Sequence, residues 1–295
     1  MRLLYRILGA ASLAAAAITP AASPQQQREQ VDVELVLAVD ISQSMDYDEH
    51  TLQRMGYVDA FRHKDVGEAI RSGPEGKIAV TYMEWGGDFE PIVLIPWTII
   101  DGPESARAFA DKLANEQISS LSRTSISNAL YSAADLIDKN DITSHRRVID
   151  VSGDGPNNAG PPVEQARDDV VKRGFTVNGL PIMLERPKEF YDIDHLDRYY
   201  KQCVIGGQGS FIAPVFDLQQ LAGTVRKKLV LEIAGNEVNP PGTAPVEYAS
   251  ATPAPAPGAS PLKVQLKLPT EKMDCFAGEK AMGGGRFGGF GRFPR

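Results

Sequence analysis

Asp40, Ser42 and Ser44 stand at alternate positions directly after the apolar run Val33 to Val39. One carboxylate and two hydroxyls this close together form a cluster of hard oxygen donors. Mg2+ accepts such donors while keeping some of its waters. The same residue types also cap helices and pin turns, so the triplet alone leaves both readings open. Two further places carry matching chemistry. Thr124, in the stretch Ser122 to Ile126, immediately precedes a helical pattern, and Asp154 follows the strand-like stretch Arg147 to Ser152.

The elements around these residues have to bring them together. Val33 to Val39 is short, β-branched and nearly unbroken in its apolar character, as expected for a central strand covered on both faces. Leu52, Met55, Gly56, Ala60 and His63 fall at helical spacing, and Gly73-Pro74-Glu75-Gly76 stops that pattern. Lys77 to Trp85 and Pro91 to Thr98 read as strands joined at Gly86-Gly87-Asp88. Strands this close must be antiparallel, and Pro91 and Pro96 place the second at a sheet edge.

From Gly102 onward helix and strand alternate. Ala106, Phe109 and Leu113 mark one helix face, and Ile126, Ala129, Leu130, Ala133 and Ile137 another. A strand at Arg147 to Ser152, a helix at Val163 to Arg173 and a strand at Phe175 to Leu184 follow. Leu196, Tyr199, Tyr200 and Cys203 suit a helix, and Ser210 to Val215 a final strand. Asp217 then caps a helix with Leu218, Leu221, Val225 and Leu229 on its inner face. Alternation of this kind implies a mostly parallel sheet with helices on both sides. Asp40, Thr124 and Asp154 then share the carboxyl edge, where open α/β sheets bind their ligands.

Taken together, Asp-x-Ser-x-Ser at 40–44, Thr124, and Asp154 beside a glycine resemble the metal-ion-dependent adhesion site of von Willebrand factor A (vWA) domains. Within that superfamily, Ala-Val-Asp-Ile-Ser-x-Ser-Met, Arg-Thr-Ser-Ile and Asp-Val-Ser-Gly-Asp-Gly-Pro-Asn-Asn resemble the DUF1194 family of exported bacterial proteins of unknown function. The resemblance covers Val31 to about Gly235. It implies a Rossmann-like, doubly wound α/β fold with one antiparallel edge strand. It also implies a metal site in which Ser42, Ser44 and Thr124 bind through their hydroxyls, and Asp40 and Asp154 bind directly or through water. Mg2+ or Mn2+ would suit it. Mostly neutral ligands leave the ion undercompensated, so an acidic group on a protein partner can complete its shell. Arg123 departs from the small residue that many vWA domains have near the threonine. Asp46, Asp48 and Glu49 crowd the same rim, and also read as favourable charge at a helix start.

The chain has 295 residues, with 42% hydrophobic residues and a formal net charge of -7. That charge excludes a broad basic face for nucleic acid. Residues 1–22 read as a signal peptide, with Arg2 and Arg6 ahead of the apolar stretch Ile7 to Ile18, and 23–30 as a polar linker. Residues 31–235 form the vWA-like domain. The Pro/Ala-rich and Gly/Arg/Phe-rich stretch 236–295 reads as a disordered tail, with a short strand possible at Leu262 to Leu268. Cys203 and Cys275 could pair in an exported protein or remain separate thiols.

His50, His63, His145 and His195 show neither metal nor triad spacing, and read as surface or packing residues. A phosphatase-type loop would want a second acid where Ser42 stands. The expectation is therefore a periplasmic or secreted binding domain, not an enzyme, with no membrane span in the mature chain. The alternatives are a divalent-metal hydrolase on the same loop and an envelope scaffold with a purely structural ion.

Overall fold

The computed structural model describes residues 28–87, 91–184, 193–235 and 272–282. The leader and the possible strand at 262–268 lie outside the described residues, as does Asp88 of the hairpin.

Every residue of β1 (Glu29–Asp40) from Val31 to Asp40 is buried, because the strand lies in the middle of the sheet with helices on both faces. Successive side chains alternate between those faces. Val33, Leu35, Leu37 and Val39 enter one core, and Val36 and Ala38 the other. After α1 (Tyr47–Arg62) and α2 (Lys64–Ser72), β2 (Ile78–Trp85) pairs parallel to β1. The hairpin returns through β3 (Ile92–Ile100), antiparallel at the edge as the prolines demand. The chain then runs through α3 (Pro103–Asn115) and α4 (Ile126–Asp138) into β4 (Ile142–Gly153), on the other side of β1. α5 (Val163–Lys172) leads to β5 (Thr176–Pro181). The sheet order is β3-β2-β1-β4-β5, with only β3 antiparallel.

Next come α6 (Leu196–Tyr199), a π-helical turn (Tyr200–Val204), α7 (Leu218–Ala234) and α8 (Ala277–Ala281). One core holds residues of α1, α2, α3 and α7, and the other those of α4, α5, α6 and the π-helical turn. Among the described residues no helix is long and apolar enough to cross a membrane.

Several boundaries differ from the sequence reading. Glu29 and Gln30, assigned to the polar linker, pair with Ile142 and Thr143 and begin β1. The first helical stretch breaks at His63, which ends α1 and whose Nδ1 accepts from the Asp65 N–H at the start of α2. Leu52, one of the residues at helical spacing, is exposed, whereas Gln53 and Arg54 are buried. Arg54 pairs with buried Glu84 and donates to the carbonyls of Glu116 (2.7 Å) and Gln117 (3.0 Å). Spacing alone missed this face because several of its buried positions, His50, Gln53 and Arg54, are polar.

The expected last strand at 210–215 makes only isolated bridges, Gly179 to Ile212 and Ile182 to Val215. Ala213 and Val215 donate to the carbonyls of Gly179 and Pro181. Pro181 has no N–H to return, so one ladder bond is missing between these two bridges. Cys203 and Cys275 form a disulfide. Residues 272–282 of the supposed tail are thereby folded against the domain.

One buried cluster departs from an apolar interior. Lys228 on α7 pairs with Asp150 on β4 (2.6 Å) and with Glu232, and Asn178 donates to Glu232 (2.9 Å). All four are nearly inaccessible to solvent. Burial opposes the charge on Lys228, but the two carboxylates outweigh it and raise its pKa. Two acids share one lysine, so burial and then Asp150 lift Glu232 to about 7. An acid raised from its ordinary value binds a proton in the folded state that the unfolded chain has lost, so stability falls as pH rises through that window. Wild-type protein should therefore lose stability between about pH 5 and 8 in denaturant titrations, and Glu232→Gln should flatten that slope. Lys228→Ala strands both acids and should cost about 3–5 kcal/mol.

Candidate metal site

The site lies where chain connectivity reverses direction across the sheet. From β1 the chain moves outward to β2 on one side, while β4 and β5 occupy the other. The carboxyl ends of β1 and β4 lie side by side in parallel register, Val39 beside Ser152. Such a switch point opens a crevice beyond the strand ends. Asp40 closes β1, and Asp154 follows Gly153 at the end of β4.

A short hydrogen-bonded chain joins these two acids. The Ser42 N–H donates to Asp40 Oδ1 (2.7 Å), the Ser42 and Ser44 hydroxyls lie 2.9 Å apart, and Ser44 Oγ donates to Asp154 Oδ1 (2.6 Å). Asp40 is wholly buried, and its Oδ2 has no hydrogen-bond partner. Burial pushes its carboxyl well above the ordinary range, and the charge of Asp154 pushes it further. Hydrogen bonds from Ser42 and the Asp154 backbone pull the other way without overcoming this. A buried, half-satisfied carboxylate beside a second acid is costly unless a cation compensates it.

The second loop is fastened to both neighbours. Leu121 N–H donates to the Ile41 carbonyl (2.8 Å), and Ser125 N–H to Gly86 (2.7 Å). Thr124 is buried, and its N–H donates to Asn158 Oδ1 (2.9 Å) while its carbonyl accepts from the Asn158 N–H (2.8 Å). Its hydroxyl lies beside Gly155, 3.8 Å from where a Cβ would stand. Ser125, whose Oγ accepts from the Asn128 N–H, caps α4.

Gly153 is required by proximity. A Cβ there would lie 2.7 Å from Asp40 Oδ2 and 2.8 Å from the Tyr200 hydroxyl.

Asp40, Ser42, Ser44 and Asp154 thus form one bonded chain, and Thr124 sits on the adjoining loop held to the same segment. Asp46 and Glu49 are committed elsewhere. They form a reciprocal cap on α1, each side chain accepting from the other's backbone N–H at 2.8 Å. Arg123 is exposed, in the left-handed region at φ 64°. The sequence reading missed the supporting roles of Gly153, Tyr200, Asn157 and Asn158. The pair Gly155-Pro156 ahead of two asparagines was a turn signal, but nothing in it showed that the asparagines reach back to Thr124 and α4. His50, read as surface or packing, is buried, and burial lowers its pKa.

The donor set fits a divalent cation. Among the described residues no group of three or more His, Cys, Asp or Glu could hold a metal. A cation here must use the hydroxyls along with the two acids, which suits a hard ion. The orphaned Asp40 Oδ2 supplies a ready donor. Gly153→Val should abolish any Mn2+ binding measured by calorimetry and, through overpacking, cost about 1–3 kcal/mol in chemical denaturation.

Residues 30–237 match the family described as Protein of unknown function (DUF1194). No curated protein matches the chain. Among solved structures, the pilus adhesin SpaC from Lactobacillus rhamnosus GG is similar over 71% of this chain and 32% of its own, at 12% identity and TM-score 0.51. A von Willebrand factor type A protein from Catenulispora acidiphila is similar over 69% and 43%, at 15% identity and TM-score 0.48. Proximal thread matrix protein 1 from the mussel byssus, with a zinc-occupied MIDAS motif, is similar over 69% and 46%, at 12% identity and TM-score 0.48. This chain spans less than half the length of each.

Proposed function

The chain belongs to the DUF1194 family, and from that membership and the geometry of its three loops we propose an exported binding domain that holds a divalent cation and recognises an acidic group on a protein partner. The carrying observation is the buried Asp40 carboxylate, with one oxygen unpartnered and the other accepting from the Ser42 N–H, while the Ser42 and Ser44 hydroxyls lead on to Asp154. Ser42, Ser44 and Thr124 would hold the ion through hydroxyls, with Asp40 and Asp154 as direct or water-bridged partners. Mg2+ is the expected ion and Mn2+ an acceptable one, since both prefer oxygen. When bound, the cation supplies a coordination position whose charge three neutral ligands leave uncompensated.

The protein's own residues do the remainder. β1 and β4 hold Asp40 apart from bulk water, and the serines bond to the carboxylate oxygens of Asp40 and Asp154. Exposed Arg123 stands on the rim, where a guanidinium can receive a carboxylate bidentately. The pilus adhesin's likeness is one of fold, so its role supports a binding reading only by analogy. The apolar leader supports export. No reaction is assigned.

Calorimetric titration of Mg2+ into the purified domain should give saturable heat and a higher unfolding midpoint. At a hundredfold excess over Kd the stabilisation should be about 2.7 kcal/mol. Asp40→Ala and Ser42→Ala should abolish both responses. In chelator, Asp40→Asn should be more stable than wild type, since it removes a buried charge while keeping an acceptor for the Ser42 N–H. Absence of heat and of any shift for wild type sinks the cation site. Metal-dependent turnover in a phosphatase or esterase screen would replace the binding reading with a hydrolase, and chelator-insensitive partner capture would replace it with a scaffold.

A further inference from the structure

Past the α7 helix, the described chain resumes at residue 272 and lies against the loop that carries Asp154. Three contacts make this docking specific. Asn157, wholly buried, donates from Nδ2 to Glu279 Oε1 (2.8 Å). The Tyr199 hydroxyl accepts from the Asn157 N–H (3.1 Å) and donates to the Cys275 carbonyl (3.4 Å). Gly278 packs so closely that a Cβ would lie 2.2 Å from the Asn157 carbonyl oxygen and 3.0 Å from Pro156 Cγ.

A helix as short as Ala277–Ala281 has no stability of its own. It is held by the Cys203–Cys275 disulfide to the buried π-helical turn, by the Met273 N–H on Gln202 Oε1 (2.8 Å), and by Met273 against the core.

Asn157 is also the hub of the site's second and third loops. Its Oδ1 accepts from the N–H (3.1 Å) and hydroxyl (3.2 Å) of Ser127 in the first turn of α4, and its neighbour Asn158 grips Thr124. Glu279 therefore orients an amide whose other end fixes the helix that follows Thr124. The residue is half-buried, its Oε2 is unpartnered, and burial raises its pKa. A half-buried acid with one oxygen receiving an amide N–H and the other unpartnered is costly packing for a loose tail, and intelligible as a positioning contact.

We propose that residues 272–282 are a disulfide-stapled clamp on the cation site, with Glu279 acting through Asn157 as a positioning residue for Thr124 and Asp154. The proposal rests on the cation-binding reading above and names how that same site is held in shape. The segment touches the loop from behind, so its effect is on ligand geometry and not on ion contact. Partners that orient metal ligands from outside the coordination shell typically change affinity by about 10–100-fold.

The test measures Mn2+ affinity of the full chain by calorimetry, with chelator-treated unfolding midpoints and hydrogen exchange over 153–160 in parallel. Glu279→Ala and, separately, Gly278→Val should each weaken Mn2+ binding by about 10–100-fold and speed exchange in that loop. Glu279→Gln, which keeps an acceptor for Asn157 Nδ2, should restore both. A lowered unfolding midpoint with unchanged Mn2+ affinity in the two disruptive variants would overturn the clamp and leave the cation reading standing. If wild type binds no Mn2+, the cation reading falls. Exchange then decides the docking alone, and unchanged exchange over 153–160 in both variants overturns the clamp as well.

Discussion

Parallel pairing of β1 with β4 is the constraint on which the molecule depends. These strands are adjacent in space but separated by more than a hundred residues of chain, and their register sets Val39 beside Ser152. Everything chemically interesting follows from where the two strands stop. β1 ends on an acid, β4 ends on a glycine small enough to let that acid approach, and a second acid follows. A shift of one residue would turn Asp40 to the opposite face, because side chains alternate along a strand. Leu35, Leu37 and Val39 fill one core while Val36 and Ala38 fill the other, which opposes such slippage, since either face would have to accept the other's packing.

The electrostatics of this strand edge run against folding. Asp40 is dehydrated, faces the charge of Asp154 and leaves one oxygen without a partner. Such an arrangement is tolerated where it serves a ligand, and a hard cation is the ligand that would repay it. The Lys228 cluster shows the contrasting solution on the other side of β4. There, a lysine from α7 compensates Asp150 and Glu232 from within the chain. One strand thus carries an internally neutralised acid at Asp150, and four residues later Asp154 joins the chain that leads to an uncompensated one.

The third loop shows how far support for the site extends. Its acid is on one residue, its grip on Thr124 is on Asn158, and its contact with α4 is on Asn157. That last side chain is also where the C-terminal segment lands. The disulfide turns a low-complexity neighbourhood into a small ordered element, because a covalent link removes much of the entropy that five helical residues could not offset.

Much of the architecture was legible in the residues themselves. The apolar run of β1, the hairpin glycines, the edge prolines and the alternation of helix and strand report local physics, namely burial on both faces, turn geometry and missing donors. The residue types at 40, 42, 44, 124 and 154 were readable as oxygen chemistry for the same reason. Other features depend on contacts that no local pattern encodes. The polar face of α1 is buried because Arg54 finds Glu84 and two distant carbonyls. The strand expected at 210–215 is reduced to two bridges, with a bond missing between them where Pro181, on a neighbouring element, lacks an N–H. Asn157 becomes a hub only through Ser127 and Glu279, and Cys203 meets Cys275 across 72 residues of sequence. Residue type and spacing determined which chemistry was available. Tertiary structure decided which of those groups meet, because burial, register and cross-chain hydrogen bonds are properties of the assembled fold.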